Sequence, residues 1–191
     1  IGNLVGAFNK MAHDLHITTV SCDSLTKEIA ERKWAEEAVI KNEEKLKNIL
    51  HGSPIPTFVI DTAHRITYWN RAMEEYTGIK ATDVVRTDHH WKAFYDHKRP
   101  CMADLLADGK IDDIDRWYPG RYKASDLIAG AYEGTDYFAR LGREGTWLHF
   151  TAAPVKDSQG RIIAAVETLQ DINEMKKAEE RIKHLSRQII N

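Results

Sequence analysis

Apolar residues recur at alternating spacings of three and four along the first fifty positions of the chain. Eleven of the fifteen positions in this register are apolar: Ile1, Leu4, Phe8, Met11, Leu15, Cys22, Leu25, Ile29, Val39, Leu46 and Leu50. An average spacing of 3.5 residues is typical of the contact seam of a coiled coil. No proline, which would interrupt a helix, occurs before Pro54. The pattern predicts one continuous helix over residues 1–50.

The length of this helix favours a parallel homodimer. Fifty helical residues extend about 75 Å, farther than a domain made from the remaining residues could cover. The alternative is a single amphipathic helix packed on its own domain. Charges at Arg32, Glu36 and Glu43 weaken the seam. They would either fix the register of the two helices or allow a relay helix to switch easily between two arrangements. Cys22 on the seam is either a small buried residue or, when oxidised, half of an interchain disulfide.

A mixed pattern of strands and helices follows Leu50. The segment HGSPIP ends the first helix, and the segments TFVID and HRITYWN predict two short strands. Residues 71–78 predict a helix that Asn70 caps and Gly78 ends. Residues 79–133 are irregular, partly helical and rich in aromatic side chains.

Three further strands and a last helix are predicted toward the end of the chain. The strands cover 135–141, 146–157 and 161–172, and glycine-bearing turns join them as a meander. Asp171 followed by Glu174 predicts a capping box for the helix. That helix carries a second coiled-coil seam: Met175, Ala178, Ile182, Leu185 and Ile189.

This order of elements resembles a PAS domain. The phrases SPIPTFVID, ITYWNRAMEEYTGI and WLHFTAAPVKDSQGRIIAAVETLQDI carry the resemblance, together with the Asp171-Ile172-Asn173 junction, where Asn173 replaces the usual Thr. The resemblance covers residues 46–173 and implies an α+β fold, with a five-stranded antiparallel sheet and helices over one face. Coiled-coil helices would flank it at both ends. The stretch between the first domain helix and the third strand is longer than in a minimal PAS domain.

Two weaker resemblances suggest the context of the domain. IGNLVGAFNKMAHDL is similar to the end of the second helix of a HAMP domain, which implies a membrane receptor with its membrane segments upstream. KKAEERIKHLSRQII resembles the lead-in to the dimerisation helices of sensor histidine kinases. The predicted organisation follows: a HAMP-like helix end at 1–15, a coiled-coil linker at 16–50, a PAS sensor domain at 51–172 and a signalling helix at 173–191.

Composition narrows the function further. The chain is 42% hydrophobic and 29% charged with a net charge of −2, so no basic excess points to a nucleic-acid partner. It has no phosphate-binding glycine loop, nucleophile elbow or HExxH motif, and we expect no catalysis. His13 is followed by an acidic residue, as a phospho-acceptor histidine would be. However, His13 lies in the HAMP-like helix, with no ATP-binding motif after it.

We weighed a metal or haem site against an organic ligand. His89, His90, His97 and Cys101 fall within thirteen residues, but their spacing matches no established ligand pattern, and no CxxCH motif supports covalent haem. The sequence context of Cys101 also lacks the motif of flavin photosensors. A small organic ligand is the preferred expectation, and neither a metal nor haem is expected.

The expected ligand-binding residues are aromatic side chains of the middle segment and two polar residues on one strand: Trp91, Tyr95, Trp117, Tyr122, Tyr132, His149 and Thr151. The alternative is that these aromatics only fill the core. The residues expected to relay a signal lie where helices enter and leave the domain: Leu46, Leu50, Asp171, Asn173 and Met175.

The sequence thus predicts a dimeric, cytoplasmic sensor and signal-relay segment of an inner-membrane sensor histidine kinase in two-component signal transduction. The alternatives are a ligand-free dimerisation scaffold, or a segment of a chemotaxis receptor or a diguanylate cyclase. A free-standing ligand-binding protein fits less well, because helical seams run to both ends.

Overall fold

The computed structural model describes the backbone of residues 2–142 and 144–189, and the side chains of these residues except 2–9, 12–24 and 189. The chain divides into two compact units, Ile1–Ile49 and Leu50–Asn191. In the described ranges, none of the helices offers an apolar stretch of the length that a bilayer crossing requires.

The first element is the long helix α1, Gly2–Gly52. Salt bridges one turn apart lie along its surface, such as Arg32 to Glu36 at 3.4 Å, and support the helix modestly. The apolar seam residues with described side chains are exposed by 43–66%: Met11, Leu25, Ile29, Val39, Leu46 and Leu50. The predictions for Phe8, Leu15 and Cys22 concern side chains outside the described residues.

The second unit contains one antiparallel sheet. Its strands are β1 Thr57–Asp61, β2 Ile66–Trp69, β3 Tyr122–Ala124, β4 Tyr132–Phe138, β5 Thr146–Lys156 and β6 Ile162–Asp171. They lie in the order β2-β1-β6-β5-β4-β3. The α+β class and the antiparallel sheet are as predicted, but the sheet has six strands, not five. The additional strand, β3, pairs with β4 and is only three residues long.

Short helices cover one face of the sheet. They are α2 Arg71–Thr77, α3 Ala81–Val84, α4 Met102–Ala107 and α5 Ile114–Trp117, with 3₁₀ turns at His90–Ala93 and Ile111–Asp113. Helix α6, Asn173–Ile189, follows β6. Every residue of α4 is buried, so this helix forms the centre of the covering layer.

Asn70 joins β1 to α2, as the predicted cap requires. Its Oδ1 accepts hydrogen bonds from the backbone N–H of Thr57 at 3.0 Å and of Met73 at 2.9 Å. Its Nδ2 donates to the carbonyl of Ile55 at 2.7 Å. Gly78 ends α2 with a φ of 74°, which glycine adopts without strain. The side chain of Asn70 is fully buried.

The hydrophobic core lies between α4 and the inward face of the sheet. Alternation along β5 buries Leu148, Phe150 and Ala152, which follows from the two-residue period of a strand. The neighbouring strand β6 buries Ala165, Glu167 and Leu169 in the same way. The ionisable side chain of Glu167 therefore lies among the buried residues of this sheet face.

Candidate functional site

A cleft of about 520 Å³ opens on the helical side of the second unit. Its walls come from the turn between β1 and β2, the first 3₁₀ turn, the loop before α4, and helices α4 and α5. The polar and aromatic residues among its lining are His64, Asp88, His90, Trp91, Lys98, Arg99, Asp104, Asp108, Lys110, Asp113, Arg116 and Trp117. Acidic and basic side chains are both present, so the cleft is polar without a single sign of charge.

A carboxylate at the start of α4 organises one wall of the cleft. Asp104 Oδ1 lies 2.6 Å from His64 Nδ1, and Asp104 Oδ2 lies 2.7 Å from His90 Nε2. The same Oδ2 accepts the backbone N–H of Cys101 at 2.7 Å. Burial opposes ionisation of Asp104, but the hydrogen bonds from the two histidines and from this N–H hold its pKa below the ordinary value.

His64 reaches this carboxylate from the β1–β2 turn. Asp61 fixes the turn, because its Oδ1 accepts the backbone N–H groups of Ala63 and Arg65, each at 2.9 Å. His64 itself has a φ of 62°, and its Nε2 contacts Asp108 Oδ1 at 2.9 Å. Partial burial lowers the pKa of His64, but the hydrogen bonds and charges of Asp104 and Asp108 outweigh it and raise that pKa overall.

Two further ionisable groups lie next to α4: Glu167 of β6, and Cys101, the residue before the helix. Glu167 Oε2 accepts the backbone N–H of Ala103 at 2.8 Å. Burial, to which the charge of Asp104 adds, raises the pKa of Glu167 to about 8 even though the Ala103 N–H favours the ionised form. Burial, with the charges of Glu167 and Asp104, also raises the pKa of the Cys101 thiol well above its usual value.

Arg99 lies among aromatic rings at the other wall of the cleft. Its guanidinium carbon is 4.2 Å from the ring centroid of Tyr95 and 5.2 Å from those of Trp117 and Tyr118. One guanidinium nitrogen donates to the carbonyl of Trp117 at 3.0 Å. Cation–π contacts stabilise a cation only partly when it leaves water. No carboxylate of the described residues forms an ion pair with Arg99.

Two N–H donors in the lining have no acceptor among the described residues. They are the indole Nε1 of Trp91 and the Nε of Arg99, and both atoms are buried. Buried donors of this kind nearly always have a partner in folded proteins. Both residues line the same cleft.

The seven expected ligand-binding residues lie in three separate places in the fold. Trp91 and Trp117 line the cleft, and Tyr95 lies under Arg99. Tyr122 and Tyr132 pair with each other at 6.2 Å between ring centroids, against the core near the β3 edge of the sheet. His149 and Thr151 point to the opposite face of the sheet from Phe150. The seven residues therefore do not line one common cavity.

The opposite face of the sheet carries a second, open groove of about 680 Å³. His149 and Thr151 line it, together with residues of the Pro54–Pro56 segment, of α2 and of the end of β6. His149 Nε2 lies 3.2 Å from a carboxylate oxygen of Glu133. The polar residues predicted on β5 are thus part of a surface groove, remote from Arg99 and the two tryptophans.

The expected relay residues mark the two ends of the domain. Asp171 ends β6, and its Oδ2 accepts a hydrogen bond from Tyr76 of α2 at 3.2 Å. Asn173 Oδ1 accepts the backbone N–H of Trp147 at 3.0 Å, which attaches the start of α6 to β5. Asp171 is still paired with Leu148 in the sheet, and its Oδ1 accepts the backbone N–H of Asn173, the first residue of α6, at 2.8 Å, as the predicted cap requires. Leu46, Leu50 and Met175 expose apolar side chains.

Sequence reasoning missed three charged residues of this region: Asp104, Arg99 and Glu167. Only Glu167 could have been recognised from the sequence, because the alternation of β6 places it at an inward position between Ala165 and Leu169. Of the histidines considered as metal ligands, His97 is exposed and His89 pairs with Asp88 at 3.6 Å. His90 and Cys101 instead come together with Asp104, and their ligand atoms all lie within 4.8 Å of one another.

Comparison with known proteins gives the fold a name. Residues 44–90 match the family model of the PAS fold. An RNA-binding light-oxygen-voltage receptor is similar over 75% of this chain, with 18% identity and a TM-score of 0.53. The chain spans 37% of that receptor. This likeness, at its level of identity, concerns the fold alone, and the predicted PAS fold is confirmed.

Two further solved structures share lower similarity. The PAS domain of BvgS from Bordetella pertussis has 16% identity and a TM-score of 0.47 over 76% of this chain and 98% of its own. The PAS domain of an HTR-like protein from Haloarcula marismortui has 13% identity and a TM-score of 0.46 over 73% and 99%. The curated proteins include no match to this sequence.

Proposed function

We propose that this chain is a PAS sensor and signal-relay segment that binds a small organic anion in the cleft beside α4. The observation that carries the proposal is the pair of buried, unpartnered N–H donors, on Trp91 and Arg99, that line one cleft. An acceptor-rich ligand supplies what both donors lack. Trp91 and Trp117 line the same cleft and would contact the apolar part of such a ligand.

A carboxylate is the best match to Arg99. A guanidinium held away from water is stabilised most by a planar, two-oxygen anion, which accepts two parallel N–H bonds. The three aromatic rings around Arg99 provide no formal negative charge. A bound carboxylate would therefore neutralise the guanidinium and exclude water from the cleft at the same time.

The route from the cleft to the output is short. Helix α4 carries Asp104 on the cleft side, and its Ala103 N–H bonds to Glu167 of β6. Strand β6 leads directly into Asp171 and α6. A ligand that binds more tightly to one position of α4 would favour the matching arrangement of β6 and the start of α6. The free energy of this shift cannot exceed the difference in the ligand's affinity for the two arrangements.

We also propose that the relay operates in a homodimer. The exposed apolar seam of α1 and the seam of α6, where Met175, Ile182 and Leu185 are more than half exposed, would be buried against a second copy in parallel coiled coils. Deleting one residue between Val20 and Leu46 rotates the downstream helix by about 100°. Such a deletion should uncouple input from output in the full-length receptor.

The HAMP-like and kinase-like resemblances support a parent of a particular type: an inner-membrane sensor histidine kinase, with this segment on the cytoplasmic side. The segment itself would be non-catalytic and without a nucleic-acid partner. A chemotaxis receptor or a diguanylate cyclase would use the same two seams. A ligand-free dimerisation scaffold would use the seams without the cleft.

The test of the ligand compares three forms of the chain: wild type, Arg99→Gln, and the control Arg161→Gln, which changes an arginine that pairs only locally with Asp157 at 2.7 Å. Native mass spectrometry shows any molecule retained on purification, and thermal unfolding is followed with a panel of small carboxylates. At least one carboxylate should raise Tm in wild type and in Arg161→Gln but not in Arg99→Gln. A chain that retains nothing and responds to no organic anion would support the scaffold.

A further inference from the structure

A second site lies beside the cleft, where three side chains with different donor atoms meet in the interior. His90, Cys101 and Asp104 are 2%, 1% and 6% exposed. One imidazole nitrogen, the thiol sulfur and one carboxylate oxygen all lie within 4.8 Å of one another. The residues come from two segments, the first 3₁₀ turn and the start of α4, so the fold and not local sequence assembles the group.

Nitrogen, sulfur and oxygen donors together are characteristic of zinc sites. Zn²⁺ binds histidine nitrogen and carboxylate oxygen at about 2.0–2.2 Å and cysteine sulfur at about 2.3 Å, in tetrahedral geometry. Such an arrangement separates the donor atoms by roughly 3.5 Å. The 2.7 Å hydrogen bond between His90 Nε2 and Asp104 Oδ2 would open by less than an ångström to admit the ion.

Coordination to a metal ion would stabilise the Cys101 thiolate, and the thiol proton would pass to solvent.

We propose that His90, Cys101 and Asp104 bind one Zn²⁺ ion, with the fourth coordination position open to water. His64 positions the carboxylate ligand, because its Nδ1 lies 2.6 Å from the other oxygen of Asp104. Partners of this kind orient metal ligands, and their loss typically weakens metal binding by about 10–100-fold. The zinc site does not depend on the organic anion, since neither Arg99 nor Trp91 takes part in it.

The test begins with the wild-type chain freed of metal by a chelator and dialysed. Titration with Zn²⁺ against a chromophoric chelator should give one tightly bound ion per chain. Titration with Co²⁺ should give the sulfur-to-cobalt charge-transfer band and the intense visible bands of a tetrahedral site. These spectra report thiolate coordination without any substitution, so they do not depend on whether a variant folds.

Substitutions then assign the ligands. Cys101→Ser and His90→Gln should each weaken Zn²⁺ binding at least 100-fold, and His64→Gln about ten-fold or more, with the fold checked by circular dichroism. His97→Gln, which changes an exposed histidine of the same loop, should leave the affinity unchanged. The proposal is overturned if Co²⁺ gives no charge-transfer band, or if Cys101→Ser binds Zn²⁺ as tightly as wild type.

Discussion

Glu167 is the buried group whose replacement has the most definite consequence for stability. It is 4% exposed on the inward face of β6, and its carboxylate accepts one backbone hydrogen bond, from Ala103 at 2.8 Å. Glu167→Gln keeps the size of the side chain and an acceptor for that bond, but removes the proton equilibrium. The substitution therefore isolates the effect of ionising one carboxyl group in the core.

The direction of the pH dependence follows from the folded-state pKa of about 8, against the ordinary value of 4.5 for a glutamate side chain. Below pH 4.5 the Glu167 carboxyl is protonated in both the folded and the unfolded chain, so its proton equilibrium does not change the free energy of unfolding. Between pH 4.5 and 8 the unfolded chain releases a proton that the folded chain retains, so the free energy of unfolding falls as pH rises. At 1.36 kcal/mol per pKa unit, the full loss is up to about 5 kcal/mol above pH 8.

Urea denaturation between pH 5 and 9, in the presence of a chelator, measures this loss. Subtracting the free energy of unfolding of Glu167→Gln from that of wild type removes the contribution of the other titrating groups. The loss of stability in wild type relative to the variant should grow with pH until about pH 8. For Glu75→Gln, at an exposed position on α2, the free energy of unfolding should depend on pH in parallel with that of wild type. If the curves of wild type and Glu167→Gln stay parallel over the whole range, Glu167 is ionised in the folded state and the reasoning fails.

Three further predictions concern the fold, the dimer and the junction. Asn70→Ala leaves two backbone N–H groups without their acceptor and should lower the free energy of unfolding by about 3 kcal/mol, measured by urea denaturation. Ile29→Asp on the α1 seam should shift the molar mass from light scattering toward the monomer, whereas Lys41→Asp on a polar position should not. Tyr76→Phe removes the 3.2 Å bond to Asp171. It should cost about 1 kcal/mol or less yet change the output of the full-length receptor, and an unchanged output would exclude a relay through this bond.

The sequence was sufficient to predict those elements whose pattern is long or whose turn is chemically distinctive. Strand β5 alternates over eleven residues, and Asn70 and Gly78 are strong signals for the two ends of α2. Strand β3 was missed because three residues contain too little alternation to distinguish a strand from a loop. Asp171 accepts the backbone N–H of Asn173 as a cap does, but pairing with β5 also extends β6 through Asp171, and a local motif does not reveal such pairing.

The candidate site was harder to predict because its residues meet only through the fold. Trp91 and Trp117 were predicted as pocket residues because aromatic residues in an irregular stretch suggest a pocket, and both line the cleft. His64 and Asp104 are 40 positions apart, and Ala103 and Glu167 are 64 apart. Neither pair has a spacing that sequence reasoning recognises. The histidines and the cysteine that were considered as metal ligands, and rejected, lie in one stretch of sequence. The fold brings only His90 and Cys101 of that set together, and adds Asp104 from the start of α4.

The interior around α4 is more polar than stability alone would favour. A buried Glu167, a guanidinium among aromatic rings and an Asp104 held by two histidines each cost desolvation that apolar side chains of similar volume would avoid. Groups that break the pattern of a core without a local compensation are characteristic of functional sites. Because these groups adjoin the cleft or the strand that leads into α6, a ligand of the proposed kind would contact the same polar interior, and through that contact would shift the domain between two states.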